Sequence, residues 1–485
     1  MFKRPSFLII TSLISIIFFA LIAFDFSPYL RGPAPYPPDW RWPYEPANTL
    51  SRVWAPLGVI TLIILIFRKK ENKTRKSNNY KTILVFVILS FLLQISLLYY
   101  SRSGVEVLVH RTINPMISGY FSVSNQIFDL GSFLRNYNQS LYDYPMYARF
   151  HPPGGVLVYY LLEFILKPFS HLFANILSVN PTHTDVALLW NGLEMYQKFN
   201  ALVSGFVIAF IASLSIIPIY LSSKILYGEK AAIRSSVLFI FVPSFLLFTP
   251  LIDVFMPLFT CISLYLFLKG NQTNDYLYFF FSGLILFLGA YFTLTFIPFL
   301  FFFFMLFFLK FIQNRKDLKK VIENFISFLS GFILIPFLLF FVGFNFIETV
   351  KTIMIYHEAA QAGREHLTWY FYNLFDFILL TGIPIGIMFG YLIFESLKTF
   401  KKTKSLRKID SVFLSFIIML IVVNFSGTVR AETGRIWLPF APLLVIVVAN
   451  FVTFKLKFTN RQFTLLLLLQ AVQVLIFQSV LVAVW

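Results

Sequence analysis

Residues 276–310 read YLYFFFSGLILFLGAYFTLTFIPFLFFFFMLFFLK, and they hold no charged side chain before Lys310. A membrane-spanning helix needs about 20 apolar residues, so this stretch is too long for one helix and tight for two. Its Phe-rich part at 300–308 is predicted to face lipid or to fill a helix bundle, rather than to form an aromatic binding site. The stretch indicates a chain that is embedded in a membrane.

Similar apolar runs continue on both sides of this stretch. The 485-residue sequence is 58% hydrophobic and 13% charged, with a mean hydropathy of +0.76, whereas a soluble domain carries about 25% charged residues. The runs lie at 7–24, 54–67, 81–100, 155–178, 199–223, 235–250, 254–269, 276–291, 293–310, 322–346, 371–396, 411–425, 435–453 and 463–484. We therefore predict one all-α unit, a polytopic transmembrane helical bundle of about 12–14 spans.

The net charge of +18 is concentrated in short basic clusters between the apolar runs. This pattern is typical of cytoplasmic loops and argues against a nucleic-acid partner. The clusters lie at 68–76, 310–320, 398–408 and 455–461. The loops predicted to face the other, extracytoplasmic side are 25–53, 101–154, 347–370 and 426–434.

The number of spans in the middle of the chain is open. Seven runs separate the first two basic clusters, whereas two clusters on one side of a membrane require an even number. The candidates for the run that does not cross are 155–178, which Lys167-Pro168 interrupts, and the 276–310 stretch. The sequence does not decide between them.

The N-terminal part is predicted to be an addition to the core. Met1-Phe2-Lys3-Arg4 precedes the first run, and no small-residue cleavage site follows it. We interpret that run as an uncleaved helix with its N-terminus inside. Residues 1–80 would form two transmembrane helices with an outer loop rich in proline and aromatic residues, and residues 81–485 would form the core.

Loop 101–154 is the longest polar segment and is predicted to hold one or two interfacial amphipathic helices, since apolar residues recur at helical spacing between 119 and 142. Such helices would hold carboxylates at the height of lipid head groups. His151-Pro152-Pro153-Gly154 ends the loop, and its prolines predict an extended step that holds His151 rigidly at the start of the next helix. A plain turn with an interfacial histidine is the other interpretation.

Loop 426–437 places Arg430 and Arg435 on either side of Glu432. A cation at a membrane edge usually has a partner. Glu432, three residues before Arg435, is one such partner. A phosphate is the other, because a guanidinium binds it bidentately. An arginine that merely snorkels to the interface is the alternative.

Loop 347–370 contains Tyr356 and His357 among several charged residues. The spacing of its His and Glu residues matches no zinc pattern, and Cys261 is the only cysteine. We therefore predict neither a metal site nor a cofactor. A solvated loop with an aromatic belt is the simpler interpretation of any single residue here.

Together these loops resemble those of the GT-C superfamily of membrane glycosyltransferases, in the branch that contains protein O-mannosyltransferases and aminoarabinose transferases. The resemblance is carried by His151-Pro152-Pro153-Gly154 and by Arg430 to Trp437 followed by Pro439, with a similar helix pattern at 220–250. It extends from about residue 81 to 455. The adjacent pair of carboxylates that is common early in the family's first core loop does not occur between 101 and 154.

The resemblance implies an enzyme of the plasma membrane that moves a sugar from a polyprenyl-phosphate donor to an extracytoplasmic lipid, glycan or protein. It implies inverting transfer, with a carboxylate as the base. The catalytic candidates are Asp129 and Glu106. The substrate-binding candidates are Arg149, His151, Tyr356, His357, Arg430, Glu432 and Arg435.

A transporter or flippase of a lipid-linked or small anionic substrate is the competing class. Such a protein would carry charges within its helices at mid-membrane. Asp253, which lies between Pro250 and Pro257, and Asp376 are the candidates for that role. Most other charges lie in loops, which favours an enzyme. A non-catalytic scaffold is a third class.

Overall fold

The computed structural model describes residues 4–71, 79–173, 175, 181–182, 184–313 and 318–482, and these ranges are mostly helical. The helices are α1 (Arg4–Ala23), α2 (Trp54–Glu71), α3 (Tyr80–Tyr100), α4 (Glu106–Ile113), α5 (Tyr120–Ser124), α6 (Leu130–Arg135), α7 (Tyr137–Ser140), α8 (Met146–Arg149), α9 (Gly154–Leu166), α10 (Thr184–Asn191), α11 (Met195–Ser213), α12 (Ile216–Tyr227), α13 (Glu229–Ile240), α14 (Pro243–Leu247), α15 (Met256–Thr273), α16 (Tyr276–Phe292), α17 (Ile297–Gln313), α18 (Leu318–Phe341), α19 (Phe346–Ala360), α20 (His366–Thr381), α21 (Ile383–Thr403), α22 (Ser411–Ser426), α23 (Thr433–Ile436), α24 (Ala441–Asn450) and α25 (Asn460–Val480).

The predicted fold class, an all-α polytopic bundle, is confirmed. Within the described ranges, nine helical segments are long and apolar enough to cross a membrane. Three shorter apolar helices add to them, Phe7–Ala23, Tyr276–Phe292 and Ser411–Ser426. The chain is therefore a multi-pass membrane protein.

The 155–178 run is described only in part, since residues 174 and 176–178 lie outside the described ranges, but the residues on either side of it can be placed. Gly154 lies against the last turn of α16, where a Cβ atom would come within 2.5 Å of the Tyr291 carbonyl oxygen. Thr182 donates to the carboxylate of Glu106 through its backbone N–H at 3.0 Å and its hydroxyl at 2.7 Å. Glu106 begins α4, shortly after α3 ends at Tyr100. Gly154 and Thr182 thus lie at one end of the bundle, and six runs remain between the first two basic clusters.

The 276–310 stretch, the other candidate, forms two helices. The turn Leu294–Phe296 separates α16 from α17. The side chains of Phe299, Phe302, Phe303 and Phe307 are buried, whereas Phe304 and Phe308 are exposed. The Phe-rich part therefore fills the bundle on one face and lies on its surface on the other, as predicted.

Helices α16 and α18 cross at unusually close range because a glycine lies at each side of the contact. A Cβ atom on Gly283 would overlap the Phe328 carbonyl oxygen, and one on Gly331 would overlap that of Phe280. Small residues that let two helix backbones approach are typical of packing in membranes.

Loop 101–154 folds into five short helices, α4 to α8, and three of them, α5 to α7, lie in the 119–142 stretch where one or two were predicted. Two local breaks bound that stretch. Gly119 has a left-handed φ of +71° and begins α5, and Pro145 begins α8 with extended backbone. The apolar side chains at helical spacing do face the bundle, since Phe121, Leu134 and Tyr137 are buried.

Four loops meet at one end of the bundle, as predicted. Arg364 donates from Nε to the Pro38 carbonyl at 2.8 Å, and the Tyr147 hydroxyl lies 3.5 Å from Glu432. We call this the outer end, following the predicted orientation. The loops that meet there are 25–53, 101–154, 347–370 and 426–434.

A buried ion pair at the opposite end joins the N-terminal helices to the core. Arg234 of α13 pairs with Glu71 of α2 at 2.9 Å and stacks over the ring of Phe463. At the same end, Lys401 and Lys402 lie in the last turn of α21. The domain boundary at residue 80 stays a prediction. The cluster residues that lie outside the described ranges are Lys73, Arg75, Lys76, Arg315 and Lys316.

Candidate functional site

The segment between α22 and α23, residues 427–432, has an unusual backbone. The φ angles of Gly427, Ala431 and Glu432 are +65°, +150° and +52°. A residue other than glycine in this region costs about 1–3 kcal/mol, and persists only where the surroundings hold it. Such strain concentrates at functional sites, so this segment is the first place to look for one.

Side chains of α20 hold the strained segment in place. Asn373 donates from Nδ2 to the Val429 carbonyl at 2.7 Å, and its own carbonyl accepts from the Thr433 hydroxyl at 2.7 Å. Asp376 accepts the backbone N–H of Gly434 at 2.7 Å. These contacts are made by three buried residues, Asn373, Asp376 and Thr433. They hold the backbone of the strained segment in place.

Arg435 and Glu432 form the ion pair that was predicted from their spacing, at 2.7 Å. Their side chains are each only 11% exposed, and Arg435 also stacks over the Tyr147 ring, with 5.2 Å from Cζ to the ring centroid. Burial alone would lower the pKa of Arg435, but Glu432 and Asp253, with smaller contributions from Tyr147 and Tyr120, together outweigh burial and raise that pKa above its usual value. Arg435 is thus a charged side chain that is largely shielded from solvent.

Arg430 and Arg364 lie against each other with like charges. The Nη1 of Arg364 donates to the Arg430 carbonyl at 2.7 Å, and the Nη1 of Arg430 donates to the Arg364 carbonyl at 3.2 Å. Arg430 also lies 2.7 Å from the Nε2 of His366. Burial lowers the pKa of Arg364, and Glu432 partly offsets this effect. Two adjacent guanidinium groups create a demand for an anion.

Several donors at the outer end have no protein acceptor within the described part of the chain. Each of these atoms is itself buried, on side chains that are buried or half-buried. A buried donor without a partner costs about 1–3 kcal/mol and usually marks a ligand or a water. These donors are Nε of Arg149, Nε of Arg430 and Nε of Arg435; Nδ1 of His151 also lacks a partner, and its tautomer decides whether it donates or accepts.

His151 and His357 are neutral members of the site. Burial lowers the pKa of His151 to about 3, and the charge of Arg435 adds to the effect. Burial also lowers the pKa of His357 to about 4, with smaller contributions from Arg364 and Arg430. Neutral imidazoles can hydrogen bond to an anion without adding charge. Among the described residues, no three His, Cys, Asp or Glu side chains lie close enough together to hold a metal ion.

His151 is held by a turn rather than by the extended step that was predicted, since the Pro153 backbone is helical, with φ and ψ of −68° and −8°. Its carbonyl accepts the Tyr137 hydroxyl at 2.7 Å, its ring lies 5.8 Å from that of Tyr120, and α9 begins at Gly154. The close approach of Gly154 to the end of α16 leaves no room for a side chain. The step therefore fixes the histidine at the edge of the arginine group.

Arg149, Tyr356 and His357 connect loop 101–154 to α19. The Arg149 guanidinium lies over the Tyr356 ring at 5.5 Å and donates to the Tyr144 carbonyl at 3.1 Å. The Phe150 ring lies 5.4 Å from the His357 ring. The seven residues predicted to bind substrate thus lie on segments that contact one another at the outer end.

The predicted base Asp129 lies in a different setting. It caps α6 by accepting the Ser132 N–H at 2.7 Å, and its carboxylate lies 3.8 Å from Arg135. These hydrogen bonds with Ser132 lower its pKa. Asp129 is exposed and lines an open cleft of about 740 Å³ together with Gln126, Asn136 and Tyr144. Its described contacts are with Ser132, Arg135 and this cleft, and none is with Arg364, Arg430 or Arg435.

Glu106, the second predicted base, binds Thr182 through both carboxylate oxygens. It starts α4 at the outer end. Through this contact the Glu106 carboxylate holds Thr182 against the start of α4. The contacts described for Glu106 are thus structural, and its catalytic role stays a prediction.

Sequence reasoning missed Arg364 and Tyr147 and assigned Asp253 and Asp376 to another class of protein. The charge of Asp253 acts on Arg435, Glu432 and Tyr120, so this carboxylate lies within electrostatic range of the site. Arg364 was visible in loop 347–370, but nothing in its neighbours distinguished it. Only the packing of distant segments identifies these residues.

One family model and one solved structure are similar to parts of this chain. Residues 187–340 match the family model described as dolichyl-phosphate-mannose-protein mannosyltransferase, which confirms the resemblance to GT-C membrane glycosyltransferases. A crystal structure of the Archaeoglobus fulgidus oligosaccharyltransferase in complex with Zn and sulfate is 12% identical, with a TM-score of 0.43. That comparison covers 81% of this chain and 53% of the other, so this chain spans about half the neighbour's length. No curated protein matches the chain.

Proposed function

We propose that this chain is a membrane glycosyltransferase that moves a sugar from a polyprenyl-phosphate donor to an acceptor at the outer end. One observation carries the proposal. Arg430 in the strained segment and Arg435 in α23 directly after it are both buried, and each keeps an Nε–H without a protein acceptor in the described ranges. The match of residues 187–340 to a mannosyltransferase family model supports the same class of reaction.

A lipid-linked phosphate suits this group of donors. Its oxygens accept hydrogen bonds from guanidinium groups in a bidentate geometry. Arg435 already pairs with Glu432 through Nη2, so its Nε–H remains for the ligand. Because the site lies at the end of apolar helices, the isoprenoid chain can stay in the lipid while its phosphate reaches the arginines.

The proposed transfer is a single displacement. The acceptor oxygen attacks the anomeric carbon while a carboxylate takes its proton. The bond from the anomeric carbon to the phosphate oxygen breaks, and its electron pair leaves with polyprenyl phosphate. Arg430 and Arg435 stabilise the charge on that phosphate, and the configuration at the anomeric carbon is inverted.

Three carboxylates are candidates for the base, Asp129, Glu106 and Asp253. Asp253 is added because its charge reaches Arg435 and Glu432. Asp129 keeps its place because it lines a cleft that is open to an acceptor. We expect Asn or Gln at the true base to lower transfer by about 10²–10⁴-fold, and the same change at the other two to leave it within a few fold.

Transfer of label from a radiolabelled polyprenyl-phosphate sugar in isolated membranes tests the proposal. We expect Arg435→Ala to abolish transfer, and Arg435→Lys to leave about 1% or less, because a lysine keeps the charge but loses the bidentate geometry. Arg461→Ala, an exposed arginine that begins α25 at the opposite end, serves as the control. Undiminished transfer by Arg435→Ala would remove this arginine from the site.

The placement of Asp253 and Asp376 favours an enzyme over a transporter. A transporter would use such carboxylates along a path through mid-membrane. Asp376 instead binds Gly434, next to Arg435, and Asp253 acts on Arg435. We also place the outer end on the extracytoplasmic side of the plasma membrane, on the basis of the basic clusters. Uptake or flipping of a labelled lipid-linked sugar by vesicles, without any transfer, would favour the transporter.

A further inference from the structure

Loop 25–53, between α1 and α2, reaches the arginine group at three points. We infer that this loop is a positioning element of the site, in which Trp42, Asp39 and the Pro38 carbonyl hold the segments that carry Arg430 and Arg435. The inference rests on the proposed function in that it treats these arginines as the phosphate-binding groups. It assigns a role to the N-terminal helices beyond anchoring.

The first point of contact passes through Asp376. The indole Nε1–H of Trp42 donates to Oδ1 of Asp376 at 2.6 Å. The other oxygen, Oδ2, accepts the Gly434 N–H at 2.7 Å and lies 3.3 Å from the Thr433 hydroxyl. One buried carboxylate therefore joins the loop to the start of α23, the short helix that carries Arg435.

The second point of contact passes through Arg364. Its Nε donates to the Pro38 carbonyl at 2.8 Å, and its Nη1 donates to the Arg430 carbonyl at 2.7 Å. The same guanidinium thus binds the loop on one side and the strained segment on the other. The position of Arg430 depends on where the loop holds Arg364.

The third point of contact fixes the loop itself. Asp39 accepts the Trp369 indole N–H at 3.0 Å, and its charge acts on the neighbouring Arg364. Trp369 lies in α20, the helix that also carries Asn373 and Asp376. The loop and the strained segment therefore share one supporting helix.

The loop is anchored firmly enough for this role. Arg31 pairs with Asp25 at 2.9 Å and also donates to the Trp42 carbonyl. The backbone N–H groups of Glu45 and Ala47 donate to carbonyls at the end of α25 and just before it, at 2.9 Å each. Trp42 itself is 2% exposed. A loop held at both ends and in its middle can transmit its position to the arginines.

The test is Trp42→Phe, which keeps an aromatic ring beside Trp40 but removes the donor to Asp376. Trp190→Phe is the matched control, because the Trp190 indole is buried and its Nε1–H has no acceptor in the described chain. The readout is the Kd for farnesyl phosphate, measured on purified protein in lipid nanodiscs, with hydrogen exchange of the peptide that contains Gly434. We expect about tenfold weaker binding and faster exchange for Trp42→Phe alone.

Each outcome has one meaning. If the wild-type chain does not bind farnesyl phosphate, the proposed function fails. If it binds and Trp42→Phe binds equally well, the loop has no positioning role and the inference fails. Should Trp42→Phe not fold, Asp376→Asn replaces it, since an amide retains an acceptor for Trp42 but cannot satisfy both donors of α23. For a folded pair, a double-mutant cycle of the two changes should be non-additive.

Discussion

Glu432 adopts a left-handed backbone that a glycine would occupy at less cost, yet its side chain is needed to neutralise Arg435. Glu432 therefore combines an unfavourable backbone conformation with a side chain that the ion pair needs. The hydrogen bonds of Asn373 and Asp376 to the backbone on either side of Glu432 hold it in this conformation. This arrangement places the Arg435 guanidinium over the Tyr147 ring, with its Nε–H buried and without a protein acceptor in the described ranges. At the scale of single residues, strain at Ala431 and Glu432 is therefore the clearest indication of function.

A second expectation at this scale concerns pH. His357 has its pKa lowered to about 4 by burial, whereas in the unfolded chain it is about 6.5. Between these values the unfolded chain binds more protons, so stability falls as the pH falls from about 6.5 toward 4. We expect the melting temperature in detergent to drop over this window, and His357→Asn to reduce the drop. His171→Asn, at an exposed histidine, should leave the profile as it is.

At the scale of elements, the contact between α16 and α18 depends on two glycines that leave no space for a side chain. Gly283→Ala would force the helices apart and cost about 1–3 kcal/mol, as overpacking does. Gly390→Ala is the matched control, because Gly390 of α21 has open space around it and gains about 1 kcal/mol of helix propensity. Melting temperatures in detergent should move in opposite directions, and equal shifts would contradict the close contact.

At the scale of the whole molecule, the basic clusters between the apolar runs lie at one end of the bundle, and the site that contains Arg430 and Arg435 lies at the other end. With Cys261→Ala as background, single cysteines at Tyr142 and Thr428 should both react with a membrane-impermeant maleimide in intact cells. A cysteine at Lys402 should react only after permeabilisation. All three side chains are exposed, so access depends on the membrane alone. Labelling of Tyr142→Cys and Thr428→Cys from opposite sides would exclude a shared site.

The local features of the candidate site follow from the sequence. The pair of Arg435 with Glu432 is three residues apart, and the His-Pro-Pro-Gly step restricts its own backbone through its prolines. Asp253 shows the limit of such reasoning. Its position between two prolines suggested a transporter, whereas its electrostatic partner is Arg435, more than a hundred positions away in the chain.

The sequence by itself determined the membrane class, the all-α fold and the grouping of four loops at one end, because lipid dictates long apolar runs and basic clusters dictate orientation. Only the tertiary structure decided that Gly154 and Thr182, on either side of the 155–178 run, lie at one end of the bundle, and that Arg364 and Trp42 contact the segments that carry the arginines. These facts depend on contacts between segments as far apart as Trp42 and Asp376, 334 residues from each other. A local sequence pattern cannot predict such a contact, because the residues around Trp42 and around Asp376 do not indicate which distant segment will pack against them.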